Sequence, residues 1–193
     1  MQRLTRHASF DKLLDRGELR PDLCHALCLL SEPTDDDVFL DPFCGSGAIP
    51  LGRARAFPFK LIFATDTDAE KTSQLRRTVK GMRNKRLVRS FIARPADAVD
   101  MSKLDDGFVT RIVTDPPWGL FEDVGTDIAE LYAGMLREFR RVLAPGGIAV
   151  VLTAAKDELI AAVGTLDDLE VKETYDILVS GKKAAIYKLV KTL

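Results

Sequence analysis

Short apolar runs alternate with longer amphipathic ones along this chain, the pattern of parallel strands joined by helices. Val38-Phe39-Leu40, Leu61-Ile62-Phe63-Ala64, Ser90-Phe91-Ile92-Ala93, Arg111-Ile112-Val113-Thr114 and Ile148-Ala149-Val150-Val151-Leu152 read as five strands. The last is apolar throughout, as a central parallel strand should be. Between them lie a helix opening at Pro21, one from about Ser46, one in the basic segment and one from about Asp127. In that last helix Ile128, Leu131, Tyr132, Met135, Leu136, Phe139, Val142 and Leu143 recur at three and four residues. Pro145-Gly146-Gly147 is expected to end it. Two β-rich runs follow, Leu169–Val179 and Ala184–Val190, with Ser180-Gly181-Lys182-Lys183 as a hairpin turn between them. The expected fold is α/β and Rossmann-like: a mostly parallel seven-stranded sheet closed by an antiparallel C-terminal hairpin strand. Residues 1–20 read as a lead-in segment and 21–193 as one domain.

The strand ends carry the chemistry. The fourth run stops at Thr114-Asp115-Pro116-Pro117-Trp118-Gly119. Two prolines fix φ and remove two backbone donors, so the strand must turn there. What remains is a ledge with free carbonyls, one carboxylate and one flat ring, able to accept the hydrogens of a planar amine while the ring stacks on its face. After the first strand comes Asp41-Pro42-Phe43-Cys44-Gly45-Ser46-Gly47. Its glycines let backbone approach a ligand, and the helix behind offers free N–H groups. The third glycine of the dinucleotide fingerprint is missing, since Ile49-Pro50 stand there. Asp41 would repel a pyrophosphate and attract an ammonium. Asp66, at the tip of the second strand, can accept both hydroxyls of a ribose, and Asp97, ending the third run, the amino hydrogens of an adenine. Receptors for an α-amino group, a ribose and an adenine without phosphate describe S-adenosylmethionine.

Composition narrows the setting. Three cysteines in 193 residues, Cys24, Cys28 and Cys44, make neither a disulfide framework nor a zinc knuckle, and with only His7 and His25 no metal site is expected. No apolar run approaches the ~20 residues of a membrane span, and the N-terminus lacks a secretory signal, so a reduced, cytoplasmic location is expected. The net charge of −1 conceals an asymmetry. Lys71, Arg76, Arg77, Lys80, Arg83, Lys85, Arg86, Arg89 and Arg94 put +9 on residues 71–94 with no acid among them, while the remainder, with 19 basic and 29 acidic residues, carries −10. Such a local polycation is the footprint of phosphate binding, or a solvated helix face.

Asp-Pro-Phe-Cys-Gly-Ser-Gly, the acid after the second strand, Ala96-Asp97-Ala98 and Asp-Pro-Pro-Trp-Gly occur in the order of class I methyltransferases. The chain resembles the catalytic domain of the THUMP-associated RNA guanine-N2 methyltransferases. Gly17-Glu18-Leu19-Arg20-Pro21, Leu131-Tyr132 and Gly181-Lys182-Lys183-Ala184-Ala185 extend the likeness over roughly residues 17–190. The resemblance implies a class I methyltransferase fold and S-adenosyl-L-methionine as cofactor. It implies cofactor-binding roles for Asp41, Pro42, Phe43, Gly45, Gly47, Asp66, Asp97 and Ala98, and catalytic roles for Asp115, Pro116, Pro117 and Trp118 at the target base. It further implies an RNA substrate, tRNA or rRNA, methylated on a guanine 2-amino group. The chain departs from the family at Ala48 (usually Thr), at Trp118 (usually Tyr) and at Leu120-Phe121-Glu122-Asp123, where a Gly-x-Arg element is common. A THUMP domain has no counterpart in these residues: either the chain is a fragment, or RNA is gripped by the basic 71–94 segment or by an RNA-binding partner.

Three other readings share these residues. The same ledge serves adenine amines and protein glutamine amides, though those relatives more often carry Asn in place of Asp115. A catalytically silent copy of the fold could serve as a partner subunit. Methylation at a pyrimidine carbon is excluded, because it needs a cysteine nucleophile at the ledge and Cys44 sits on the cofactor side.

Overall fold

A computed structural model describes residues 19–119 and 127–192. Its centre is one seven-stranded sheet of β1 (Val38–Asp41), β2 (Leu61–Asp66), β3 (Phe91–Pro95), β4 (Val109–Thr114), β5 (Leu143–Thr153), β6 (Leu169–Val179) and β7 (Lys182–Lys191), in the order β3-β2-β1-β4-β5-β7-β6. The first five strands run parallel, and β7 pairs antiparallel with both β5 and β6. This is the expected architecture. The helices are α1 (Pro21–Leu30), α2 (Ala48–Ala56), α3 (Ala69–Lys80), α4 (Lys85–Arg89), α5 (Ile128–Val142) and α6 (Lys156–Val163).

Successive strand side chains point to opposite faces, and the two faces build two cores. Leu40, Ile112, Ala149 and Val151 pack with Tyr132, Met135 and Phe139 of α5 and Leu159 of α6. Phe39, Ile62, Val113 and Val150 pack with Leu27 and Cys28 of α1, Ile49 of α2 and Leu75 of α3. All four residues of β1 are buried, as a strand covered on both faces requires. β1 lies between β2 and β4. The strand order reverses there, the switch point whose crevice at the carboxyl ends holds the ligands of open α/β sheets.

Local structure departs from expectation at several points. Pro145-Gly146-Gly147 follows the end of the helix as expected, but it belongs to β5, which begins earlier than Ile148. α5 stops at Val142, Leu143 is already extended (ψ 134°), and the three residues lie inside the bounds of β5, where pairing with β4 shifts register between Val109 and Arg111. Pro145 disfavours the helical conformation for Ala144, so the helix ends ahead of it. The basic segment makes two helices rather than one, because the Asn84 side chain accepts from Leu87 N and starts α4 afresh. α6 was not foreseen. The hairpin turn is tighter than four residues: Ser180 (φ 49°) and Gly181 (φ 81°) are both left-handed, the two-residue geometry that matches strand twist. No helix of the described residues is long and apolar enough to cross a membrane.

Candidate active site

Asp41 ends β1 and is only 1% exposed. Its Oδ1 accepts from Thr114 Oγ1 at 2.8 Å and from Phe43 N at 3.2 Å. Its Oδ2 is buried with no partner. Burial pushes the carboxyl up to about 8; the Thr114 and Phe43 bonds oppose the rise, and the charges of Asp115 and Asp66 add to it. An anionic oxygen buried without a donor is costly, and a cation entering the crevice would relieve it. This is the fit expected for the ammonium end of S-adenosyl-L-methionine.

The loop behind Asp41 is held by the tip of β2. Gly45 N donates to Asp66 Oδ2 at 2.9 Å, Cys44 N to the Thr65 carbonyl at 2.9 Å, and Asp68 N to Asp66 Oδ1 at 2.9 Å. Each Asp66 oxygen keeps a lone pair for a further donor. The two glycines differ in role. Gly45 (φ 49°) faces open space, whereas a Cβ on Gly47 (φ 97°) would sit 2.4 Å from Leu75 Cδ1. Gly47 therefore serves the packing of α3, and Gly45 is the one with room beside it. Pro42 and Ala98 are buried, Phe43 is half-buried against the α5 side of the core, and Asp97 is exposed with Oδ1 accepting from Val99 N at 3.0 Å. Burial and the charges of Asp41 and Asp66 push the Cys44 thiol far up, so it stays protonated.

The ledge follows β4. Asp115 is half-buried, and burial raises its carboxyl to about 7 against the opposing bond from Trp118. Trp118 Nε1 donates to Asp115 Oδ1 at 2.9 Å. The ring expected to stack on a base thus also orients the acid. The Pro117 carbonyl accepts from Tyr132 Oη at 3.1 Å, and Tyr132 Oη lies 2.6 Å from Thr153 Oγ1. Gly119 (φ 71°) carries the chain past Ile128, whose Cγ1 would lie 2.6 Å from a Cβ there. Thr114 ends β4 next to Asp115, so the Asp41 carboxylate at the tip of β1 meets the ledge at the tip of the neighbouring strand.

Thr114, Tyr132 and Thr153 were not singled out from the sequence as site residues. Thr114 is a hydroxyl at the buried end of an apolar strand, and Tyr132 the lone hydroxyl in the stripe of α5; those were the available signals. Gly17, Glu18, His7 and the 120–123 departure lie outside the described residues. Of the basic segment, Lys71, Arg76, Lys80, Arg83, Lys85, Arg86 and Arg89 are exposed. Arg77 is engaged with Glu70 at 2.9 Å, and the Arg94 guanidinium lies 5.7 Å over the Phe63 ring. α3 starts beside the tip of β2 and runs away from the crevice for 12 residues, a span of about 18 Å. Among the described residues no group of His, Cys, Asp and Glu could hold a metal ion.

Comparison with known proteins agrees with this geometry. The chain is 30% identical over 183 residues to the tRNA (guanine(6)-N(2))-methyltransferase THUMP3 of Bos taurus, covering 90% of this chain and 36% of that protein. It is 33% identical over 147 residues to a tRNA (guanine(6)-N2)-methyltransferase of Thermus thermophilus, covering 75% and 42%. The crystal structure of TrmN from Thermus thermophilus superposes with a TM-score of 0.76 at 28% identity, over 91% of this chain and 50% of that one. The chain thus spans about a third to a half of the relatives it matches. A family model for the RMKL-like methyltransferase domain matches residues 11–184, most of the chain: the chain belongs to the RMKL-like methyltransferase domain family.

Proposed function

We propose that this domain transfers a methyl group from S-adenosyl-L-methionine to the exocyclic 2-amino group of a guanine in tRNA or rRNA. The observation that carries the reading is the pair of carboxylates linked by Thr114: buried Asp41 with an unpartnered oxygen, and half-buried Asp115 on the ledge beside it. The guanine-N2 activities in the names of the relatives support the choice of amine.

Bound S-adenosyl-L-methionine supplies an electrophilic methyl group next to a positive sulfur. Asp41 would hold its ammonium, Asp66 its ribose and Asp97 its adenine, with Pro42, Phe43, Gly45, Gly47 and Ala98 around them. On the ledge, Trp118 holds Asp115 Oδ1, while Oδ2 carries no hydrogen bond among the described residues. Oδ2 and the Pro116 carbonyl are then two acceptors for the two hydrogens of an amine, turning its lone pair out of conjugation with the base. Orientation of this kind is worth about 7–11 kcal/mol against a free bimolecular encounter. As the new N–C bond forms, the nitrogen turns acidic and Asp115 can take the departing proton; its elevated pKa suits that task near neutral pH. The half-buried Trp118 ring would stack on the base at about 1–3 kcal/mol. The cations of α3 and α4 offer phosphate contacts for the rest of the RNA, alone or with an RNA-binding partner, in a cytoplasmic setting.

Incubation with labelled S-adenosyl-L-methionine and bulk RNA, followed by mass spectrometry of the nucleosides, tests the reading. N2-methylguanosine that disappears with Asp115→Ala supports it. Methyladenosine, or label on protein glutamine, would redirect it to another amine. Cofactor binding without transfer to any acceptor would leave a silent partner subunit.

A further inference from the structure

The four acceptor oxygens around the ledge are not equivalent. Asp115 Oδ1 is taken by Trp118 Nε1 and the Pro117 carbonyl by Tyr132 Oη, whereas Asp115 Oδ2 and the Pro116 carbonyl bear no hydrogen bond among the described residues. The bond to Pro117 ends a directed series. The Ala155 amide donates to Thr153 Oγ1 at 2.9 Å, and Thr153 Oγ1 lies 2.6 Å from Tyr132 Oη. A carbonyl only accepts, so the Tyr132 hydroxyl must donate to Pro117, and the Thr153 hydroxyl must then donate to Tyr132. Tyr132 and Thr153 are both fully buried. Every polar atom in the series is therefore satisfied in one arrangement, and any other leaves a buried group unpaired, which is expensive.

We infer that Tyr132, oriented by Thr153, is a positioning residue: it fixes the second proline of the ledge so that Asp115 Oδ2 and the Pro116 carbonyl are the two acceptors presented to an incoming amine. The relay ties the ledge to the end of β5 and the start of α6, elements that contribute none of the expected cofactor-binding residues. Tyr132 is fully buried and reaches the ledge through the Pro117 carbonyl. With a hydrogen bond already at Asp115 Oδ1 and at the Pro117 carbonyl, Asp115 Oδ2 and the Pro116 carbonyl are the two acceptors left without one among the described residues, which suits a group carrying two hydrogens. Its catalytic consequence rests on the amine-transfer reading above, but its geometry does not.

The single tryptophan of the chain lies on the ledge and gives a readout independent of turnover. Tyr132→Phe keeps the ring and its packing and removes only the hydroxyl. In that variant, acrylamide quenching of Trp118 emission should rise roughly twofold as the ledge opens locally. With an active RNA substrate, kcat should fall about tenfold, the loss expected of one hydrogen bond, at unchanged KM for S-adenosyl-L-methionine. Thr153→Val should show the same changes in weaker form, and Thr153→Ser, which keeps the hydroxyl, should restore wild-type quenching and rate. Unaltered quenching in Tyr132→Phe overturns the inference. So does a parallel fall in Tm, cofactor affinity and kcat, which would mark Tyr132 as generally structural. If wild-type protein methylates no RNA, the functional reading fails, yet the quenching comparison still decides the relay.

Discussion

The two ends of β1 carry two aspartates with opposite fates. Asp37 precedes the strand and Asp41 ends it, and each is 1% exposed. Asp37 meets the Arg53 guanidinium at 2.6 Å and also accepts from Thr34 N at 2.7 Å, Thr34 Oγ1 at 2.9 Å and Thr110 Oγ1 at 3.0 Å. Burial works against its charge, but those bonds and the nearby Arg111 outweigh it and hold the carboxyl below its usual range. Among the described residues Asp41 has two donors on one oxygen, none on the other and no cation; its carboxyl rises to about 8. The same residue type at the same burial is thus a finished structural pair at one end of the strand and an open demand at the other. A buried acid left incomplete within a fold that completes its neighbour is a candidate ligand receptor.

Substitution should separate the two sharply. Arg53→Met removes a fully buried guanidinium from Asp37 and should destabilise the fold by about 3–5 kcal/mol in denaturant titration, since it strands a buried charge. Equal stability of variant and wild type would break the comparison. Asp41→Asn should do the reverse to the unliganded protein, leaving Tm unchanged or raised near pH 8. The same change should weaken S-adenosyl-L-methionine binding by calorimetry about 10- to 100-fold, the loss of a charged hydrogen bond of about 1.5–3 kcal/mol. Undiminished affinity would remove Asp41 from the site.

The two acids also bend stability against pH in opposite senses. Because the folded pKa of Asp41 exceeds its unfolded value of about 3.8, the folded state holds the extra proton between roughly pH 4 and 8, and this group's contribution to stability falls as pH rises through that window. Asp37, lowered from the same reference, contributes stability above the unfolded pKa that is lost as pH falls through its folded value. Asp115, Asp66 and the protonated thiol of Cys44 face Asp41, so the descending limb is shared, and Asp41→Asn should flatten it while leaving the acid limb intact. Binding of the cationic cofactor near pH 7 should release protons, read as a dependence of the calorimetric heat on buffer ionisation enthalpy. The smallest effect belongs to Thr114→Val, which removes one bond to Asp41 Oδ1. It should cost about 1 kcal/mol of stability and move the descending limb to higher pH.

The carboxyl-terminal ends of the strands were largely readable from sequence, and the side-chain pairing between elements was not. Asp-Pro-Pro after Ile112-Val113 can only stop a strand, and acids at three successive strand tips read as ligand receptors because local chemistry dictates both. Arg53, by contrast, sits in Gly52-Arg53-Ala54-Arg55, which reads like a solvated helix face. Only the tertiary arrangement brings Asp37 and the Phe39 ring to it. The bond from Trp118 to Asp115 and that from Tyr132 to Pro117 were hidden for the same reason: they depend on where a side chain points. The break between α3 and α4 rests on one capping asparagine whose role is clear only once Leu87 is seen to be buried.

The Pro145-Gly146-Gly147 irregularity has a consequence beyond its own turn. Across it the offset between β4 and β5 partners grows from 34 (Val109 with Leu143) to 37 (Arg111 with Ile148), an insertion of three residues. Three is odd, and strand side chains alternate with a period of two, so the insertion inverts which residues of β5 look toward α5. Without it the later half of β5 would advance about 10 Å and present its side chains to the opposite face, turning Thr153 away from Tyr132. A short, unassuming glycine kink at the distant rim of the sheet therefore sets the parity on which the catalytic rim is aligned.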